Sequence, residues 1–235
     1  MGILTKRLSA LASMVEKSAR VIDVGTDHGL IPVFLAQNRR CLRIIASDIR
    51  EGPLSAAIEN AVEYGVSDNI EFMLSPGLEG ISDSEVDTVI IAGMGGETIM
   101  SILSDAAWVK SQEVKLILQP QTKLFELLAW LFENGFKISG AALVSEDGRI
   151  YTVLSAETGG GGPSSDDFFD LLIKKEDRLL KEYLTRQIEK LQKEIQGKLM
   201  SSVGDAGLTE SRKRLEALMR VKSIAEEEYF NDNGK

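Results

Sequence analysis

Residues 21–30 read Val21-Ile22-Asp23-Val24-Gly25-Thr26-Asp27-His28-Gly29-Leu30. An apolar, β-branched run enters a turn bounded by two glycines and leaves it as the apolar stretch Leu30 to Gln37. That is a buried strand feeding a helix, the opening unit of a parallel α/β sheet. Glycine at both ends of the turn lets a ligand approach backbone that side chains would otherwise screen. The dinucleotide fingerprint G-x-G-x-x-G is absent, because Asp27 stands where its second glycine belongs. The competing reading of the turn is a tight connection with helix-capping carboxylates.

Outward from this turn the alternation continues. Leu42 to Ser47, Ile70 to Leu74, Val86 to Ala92 and Val114 to Leu118 read as strands; Pro53 to Tyr64, Glu97 to Leu103 and Leu124 to Glu133 read as helices. Phe136 to Val144 and Ile150 to Ser155 meet at Glu146-Asp147-Gly148, whose D-G dipeptide marks a hairpin. The fold class is α/β, a doubly wound, Rossmann-like, mostly parallel sheet with an antiparallel C-terminal hairpin. Composition changes abruptly at Thr158-Gly159-Gly160-Gly161-Gly162-Pro163-Ser164-Ser165, a flexible linker. Beyond it, Leu172, Leu179, Leu180, Leu184, Ile188, Leu191, Ile195 and Leu199 predict one helix from Phe168 to Met200. After a break at Ser201 to Gly207, a second helix carries Leu215, Leu218, Val221 and Ala225, and the tail from Asn231 to Lys235 is expected to fray. The pair makes a coiled-coil-like antiparallel helical hairpin. The expected division is therefore 1–157, a ligand-binding α/β domain, and 158–235, a helical hairpin domain.

Composition narrows the chemistry. Among 235 residues there is one Cys (Cys41) and one His (His28), which forbids an internal disulfide and excludes Cys-based zinc and multi-histidine metal sites. No apolar run is long enough to span a membrane, and M-G-I-L-T-K-R-L lacks the apolar core of a signal peptide, so a cytoplasmic protein without metal is expected. The net charge of −9 argues at face value against a nucleic-acid partner. Split along the chain, the charge says something else. Residues 1–155 hold 13 basic and 20 acidic side chains, whereas 174–222 hold 13 basic and 8 acidic. Arg212-Lys213-Arg214 is the densest basic cluster and suits a phosphate-tracking arm; the alternative is a solvated helix face with ion pairs four residues apart, such as Glu189 with Lys193.

D-x-G-x-x-x-G at Asp23, Gly25 and Gly29 resembles motif I of class I S-adenosylmethionine methyltransferases. A diphosphate needs N–H donors away from carboxylates, whereas a sulfonium amino acid is cationic, so Asp23 and Asp27 suit the latter. Asp48 ends the second strand 23 residues after Gly25, where a carboxylate can take both ribose hydroxyls, with Ile49 beside it. A helix N-cap is the alternative for Asp48. Ser75-Pro76-Gly77-Leu78 follows the third strand, where such enzymes hold the adenine ring by backbone amides and an apolar side chain; an ordinary turn is the alternative. Ala92-Gly93-Met94-Gly95-Gly96-Glu97 closes the fourth strand and Gln119-Pro120-Gln121 the fifth. Both are expected to line the crevice beyond the strand ends, with Gln119 and Gln121 toward substrate, unless they are turn chemistry alone.

Together, L-T-K-R-L, D-V-G-T-D-H-G, S-D, A-G-M-G-G and Q-P-Q make the chain resemble, over essentially its whole length, the TrmK family of bacterial tRNA (adenine-22-N1)-methyltransferases. The resemblance implies S-adenosyl-L-methionine as cofactor, tRNA as substrate and adenine 22 as target. It implies cofactor contacts from Arg7, Asp23, Gly25, His28, Gly29, Asp48, Ile49, Gly77, Leu78, Ala92, Gly93, Met94 and Gly95, and substrate contacts from Gln119, Gln121, Arg212, Lys213 and Arg214. Residues also constrain the reaction. N6 methylation uses D/N-P-P-Y/F after the fourth strand, and G-M-G-G stands there instead. Ring N1 has an in-plane lone pair and can attack a methyl sulfonium directly. Cys41, at the start of a strand, is a poor nucleophile and reads as core filling. Methylated adenine sheds an N6 proton, and Asp27 is the candidate catalytic carboxylate to receive it. His28 stacks on or hydrogen-bonds cofactor or base, or simply starts the helix. Arg7 reaches the cofactor carboxylate or a phosphate, or is a solvated charge. Two rival functions remain at this level: a methyltransferase for protein or small molecules, and a non-catalytic nucleotide-binding protein. Oligomeric state stays open between monomer and weak dimer.

Overall fold

The computed structural model describes residues 3–82, 84–110, 113–158, 166–200 and 205–232. Two compact units form, residues 1–168 and 169–235.

In the first unit, strands β1 (Ala19–Val24), β2 (Cys41–Asp48), β3 (Glu71–Leu74), β4 (Thr88–Gly95), β5 (Lys115–Thr122), β6 (Phe136–Glu146) and β7 (Arg149–Thr158) form one sheet in the order β3-β2-β1-β4-β5-β7-β6. The first five pair in parallel, and β7 runs antiparallel to both β5 and β6. The Asp147-Gly148 turn of the hairpin has positive φ at both residues (50° and 74°), the geometry that an Asp-Gly pair tolerates and that matches strand twist. Val21, Ile22, Val89, Ile90, Ile91, Leu116, Ile117 and Leu118 are fully buried, as continuous apolar runs covered on both faces should be. The covering helices are α1 (Lys6–Ser13), α2 (Leu30–Gln37), α3 (Glu51–Glu63), α4 (Gly96–Asp105) and α5 (Leu124–Glu133). Helix α1 has no counterpart in the sequence reading. Thr5 caps it by accepting from Leu8 N at 3.4 Å, and Leu11 and Ala12 bury its inner face.

The chain leaves β1 toward β2 and β3 on one side, then returns to β4 on the other. This reversal of strand order opens a crevice at the C-terminal ends of β1 and β4. At the crevice, β4 and β5 run further than expected. Strand β4 continues through Gly93-Met94-Gly95 and β5 through Gln119-Pro120-Gln121, pairing Met94 with Pro120 and Gly95 with Thr122 across register shifts. Gly93, at φ 75°, supplies the left-handed residue that the irregular pairing needs. Pro120 is accommodated because the β5–β7 ladder ends at Leu118.

The second unit corrects the helix boundaries. The expected single helix from Phe168 to Met200 is α6 (Asp166–Lys174) and α7 (Leu180–Met200). Glu176 has φ 50°, its N–H donates to Ile173 O, and Asp177 N donates to Leu172 O, which is a Schellman stop. Asp177 Oδ1 then accepts from Leu179 N at 2.9 Å as the chain enters α7. Apolar spacing runs straight through this stop, so periodicity alone could not reveal it. Helix α8 (Asp205–Asp232) starts inside the expected break and includes Asn231 and Asp232 of the expected frayed tail. Leu184 and Leu191 on α7 and Leu218, Val221 and Ala225 on α8 are buried, while Leu199, expected on the same face, is 57% exposed. Lys198 Nζ reaches Gly207 O (3.1 Å) and Ser211 Oγ (2.9 Å), tying α7 to α8 in antiparallel register. The expected linker glycines Gly159 to Gly162 lie outside the described residues.

No helix among the described residues is long and apolar enough to cross a membrane.

Candidate active site

A cleft of about 1160 Å³ opens where β1, β2, β3 and β4 end. Its floor is the turn after β1. Gly25 N and Thr26 N both donate to Ser47 O (2.8 and 2.9 Å), which pins the turn to β2. Gly25 takes φ 70°, a left-handed conformation that glycine adopts without strain, and Met94 Cε lies over the position a Cβ would take. Asp27 takes φ 53°, an uncommon conformation that Asp tolerates better than most residues.

Two carboxylates stand at neighbouring strand ends. Asp23 is 5% exposed and accepts from Thr26 Oγ1 at 2.7 Å. Burial pushes its carboxyl from 3.8 up to about 6; the Thr26 hydroxyl pulls it down, and the charge of Asp48 adds to the rise. Asp48 is equally buried and accepts from Arg50 N at 2.9 Å and, more loosely, from Asp27 N at 3.4 Å. It is not the cap of α3, whose N-cap is Arg50. Each carboxylate keeps acceptor capacity on the cleft side, where both line the wall.

Ile49, Gly77 and Leu78 also line the cleft. Ser75 N donates to Asp48 O (3.0 Å), holding the loop after β3 against β2, and Gly77 (φ 62°) lies where a Cβ would press on Ile102 of α4. Ala92, Gly93 and Met94 line the opposite wall.

Arg7 enters from α1. Its Nη1 donates to Gln119 Oε1 at 2.7 Å, its guanidinium lies 5.3 Å from the Tyr151 ring centroid, and its Nε is 3.8 Å from Glu146 Oε1. Glu146 also accepts from Arg7 N at 2.9 Å. Burial works against ionisation of Glu146, but the N–H of Arg7, the Thr5 hydroxyl and the Arg7 charge outweigh it and hold the carboxyl below its usual range.

Asp27 and His28 are at the mouth, with side chains about two-thirds exposed and His28 Nε2 3.9 Å from Asp27 Oδ2. The His28 carbonyl accepts from Asn60 Nδ2 (2.8 Å), so main chain rather than ring anchors the residue.

Three expected contacts fall outside the cleft wall. Gly29 is a packing glycine: its Cβ would lie 2.8 Å from Ala57 Cβ, so it sets the approach of α2 to α3. Gly95 faces Thr122 Oγ1 instead, at 3.2 Å from a notional Cβ. Gln119 is fully buried with its amide engaged by protein groups, and Gln121 alone of the two amides reaches the cleft. On α8, Arg212 and Lys213 are exposed, whereas Arg214 Nε lies 3.1 Å from Glu210 Oε1 in the kind of ion pair that the alternative reading of that cluster required. Cys41 is half-buried and its thiol is pushed up to about 11, chiefly by burial, which disfavours the thiolate that a nucleophile needs.

The sequence reading missed Thr98, Ile102 and Trp108, which line the cleft from α4 and the turn after it. Thr98 and Ile102 sit four residues apart in the helix that Gly96 opens, a spacing that could have flagged them.

Residues 4–154 match the family model described as a methyltransferase domain. Over 156 residues the chain is 33% identical to tRNA (adenine(22)-N(1))-methyltransferase of Bacillus subtilis, an alignment spanning 66% of each protein. Its fold superposes on Streptococcus pneumoniae Sp1610, assigned as a tRNA (m1A22) methyltransferase, with a TM-score of 0.79 at 30% identity, covering 93% of this chain and 99% of that one. This chain belongs to the TrmK family. The same S. pneumoniae protein in complex with S-adenosyl-L-methionine matches at TM-score 0.80 and 29% identity over the same shares, and B. subtilis TrmK at 0.81 and 27%, covering 93% and 98%. At 93% of the chain, these matches extend beyond residues 1–168 into the helical C-terminal residues.

Proposed function

We propose that this chain transfers a methyl group from S-adenosyl-L-methionine to N1 of adenine 22 in tRNA, with residues 1–157 as the catalytic domain and 158–235 as the helical arm. The observation that carries the cofactor is the pair of buried carboxylates, Asp23 and Asp48, facing a glycine-walled cleft. Asp23 has one hydroxyl partner, Thr26, and Asp48 has the exposed Arg50 only at 3.8 Å, so both buried carboxylates gain from a ligand that brings an ammonium group and a ribose diol. The cleft also has room for a nucleoside and an incoming base. The tRNA target rests on the family relationship, and a cytoplasmic location follows from that target.

Bound in the cleft, the cofactor supplies an electrophilic methyl on a sulfonium sulfur. Asp23 would attract the ammonium and Asp48 would accept from the ribose hydroxyls. Arg7 would face the carboxylate of the amino-acid end, while Ile49, Gly77 and Leu78 would enclose the adenine ring. Gly93 and Met94 shape the wall against which the target adenine aligns. Its N1 lone pair would meet that methyl, the base would take up the positive charge that the sulfonium gives up, and an N6 proton would leave. Asp27 is the carboxylate at the mouth that stabilises the developing charge and takes that proton. Alignment of N1, methyl and sulfur supplies most of the acceleration.

The test is nucleoside mass spectrometry of unmodified tRNA after incubation with the full-length protein and S-adenosylmethionine. The expected product is 1-methyladenosine at position 22. N6-methyladenosine, or no methylated tRNA, overturns the reading.

A further inference from the structure

Gln119 is fully buried on β5 and outside the cleft wall, yet it touches three residues that form that wall, Arg7, Gly93 and Gln121. Its Oε1 accepts from Arg7 Nη1 (2.7 Å), Gly93 N (3.2 Å) and Gln121 Nε2 (3.3 Å), and its Nε2 donates to Pro120 O (3.1 Å). The partners leave no freedom in the amide: turned over, its NH₂ would face three donors and its oxygen a carbonyl. Gly93 holds φ 75° at this contact, and Met94, the next residue, covers Gly25. One side-chain oxygen therefore joins the N-terminal helix, the bend in β4 and, through Met94, the turn after β1. Glu146 and Tyr151 hold Arg7 from the other side.

We propose that Gln119 is a positioning residue of the methyl-transfer site: its side-chain oxygen fixes the Arg7 guanidinium and the Gly93 N–H in the arrangement that receives the amino-acid end of the cofactor. The inference rests on the functional reading above and extends it to a residue that never meets cofactor or substrate. Gln119→Met keeps length and volume but removes the acceptor of three donors, those of Arg7, Gly93 and Gln121, beside the cleft. Gln119→Glu keeps the acceptor for Arg7 and Gly93, adds a carboxyl whose charge Arg7 opposes, and in its protonated form still offers a donor to Pro120 O.

Calorimetry with S-adenosylhomocysteine, and steady-state kinetics with tRNA, test this on the full-length protein. Gln119→Met should raise the Kd for S-adenosylhomocysteine and the KM for S-adenosylmethionine by about tenfold or more, with the KM for tRNA nearly unchanged. Gln119→Glu should stay within about threefold of the native values, a rescue that loss of packing would not produce. In an Arg7→Ala background, Gln119→Met should add a smaller factor than it does alone. If Gln119→Met does not fold, Gln119→Asn, which withdraws the amide by one methylene, should show the same loss. Native binding with Gln119→Met unaltered, equal losses in the Met and Glu variants, or factors that simply multiply with Arg7→Ala would each overturn the inference alone. A native protein that binds no S-adenosylhomocysteine overturns the functional reading with it.

Discussion

Asp23 shows how a buried cleft carboxylate can work against the fold that carries it. Burial raises its carboxyl to about 6, so the empty protein at neutral pH holds a charge that the unfolded chain solvates better. The sign follows from linkage. With a folded-state value above the unfolded one, Asp23 favours the folded state below about pH 4, and that contribution is lost as pH rises through 6. A cationic ligand favours the ionised form, so affinity for S-adenosylhomocysteine should strengthen as pH rises from 5 to 7, with a proton released on binding. Calorimetry in buffers of different ionisation enthalpy reads that proton directly. Asp23→Asn should flatten the pH dependence, weaken binding, and raise the stability of the empty protein at pH 8 by on the order of 2 kcal/mol. Asp27 calls for a different substitution. Its left-handed φ makes Asn the conservative choice over Ala, and Asp27→Asn should lower turnover about a hundredfold while leaving cofactor affinity and the melting temperature nearly unchanged. Unaltered turnover would remove Asp27 from proton transfer. Asp23, Gly25 and Asp48 were legible because they lie on one strand-turn-helix unit and the next strand end. Burial of Gln119 was not, since its partner Arg7 lies 112 residues away on a helix with little local signature.

At the scale of elements, the glycines of Ala92-Gly93-Met94-Gly95-Gly96 divide between ligand and packing. Their density identified an unusual place in the chain but could not tell close approach to a ligand from close approach to a neighbouring loop. Gly93 faces the cleft, whereas a Cβ on Gly96 would lie 2.7 Å from Lys123 O and 2.8 Å from Thr122 O. Those oxygens belong to the backbone between β5 and α5, so nothing flexible can yield. Gly96→Ala should destabilise the fold by about 2–3 kcal/mol, read as a lower midpoint in urea, and should weaken the cofactor site only as far as α4 shifts. If the melt does not change, the close packing of α4 on the β5–α5 turn is relieved by some backbone motion that the static contacts do not contain. Strand and helix existence was otherwise well marked by periodicity, and α2 and α5 have the expected limits. Misplaced ends arose where tertiary pairing overrode turn chemistry, as in β4 and β5, or where a local stop hid within an unbroken apolar pattern, as at Glu176.

For the whole molecule, a net charge of −9 averages an acidic stretch and a basic one. Residues 1–155, which carry the cleft, hold an acidic excess, while 174–222 hold a basic one. Pairing then sorts those basic residues. Arg186, Lys198 and Arg214 each have a carboxylate one helical turn away, whereas Arg212 and Lys213 are exposed beside Arg214 on α8. A cation already neutralised by a neighbour contributes less to an RNA phosphate than one held only by solvent. Reversing Arg212 and Lys213 together to Glu should therefore raise the KM for tRNA severalfold at low salt and reduce the salt slope of binding by about one to two, with Kd for S-adenosylhomocysteine unchanged. Arg214→Glu, which places a like charge beside Glu210, should chiefly lower helix stability and alter tRNA binding less. The measurement is tRNA affinity over a salt series beside thermal melts of each variant. If Arg214→Glu weakens tRNA binding as much as the double reversal, or if the double reversal leaves the salt slope unchanged, exposure on α8 does not decide which cations meet the RNA.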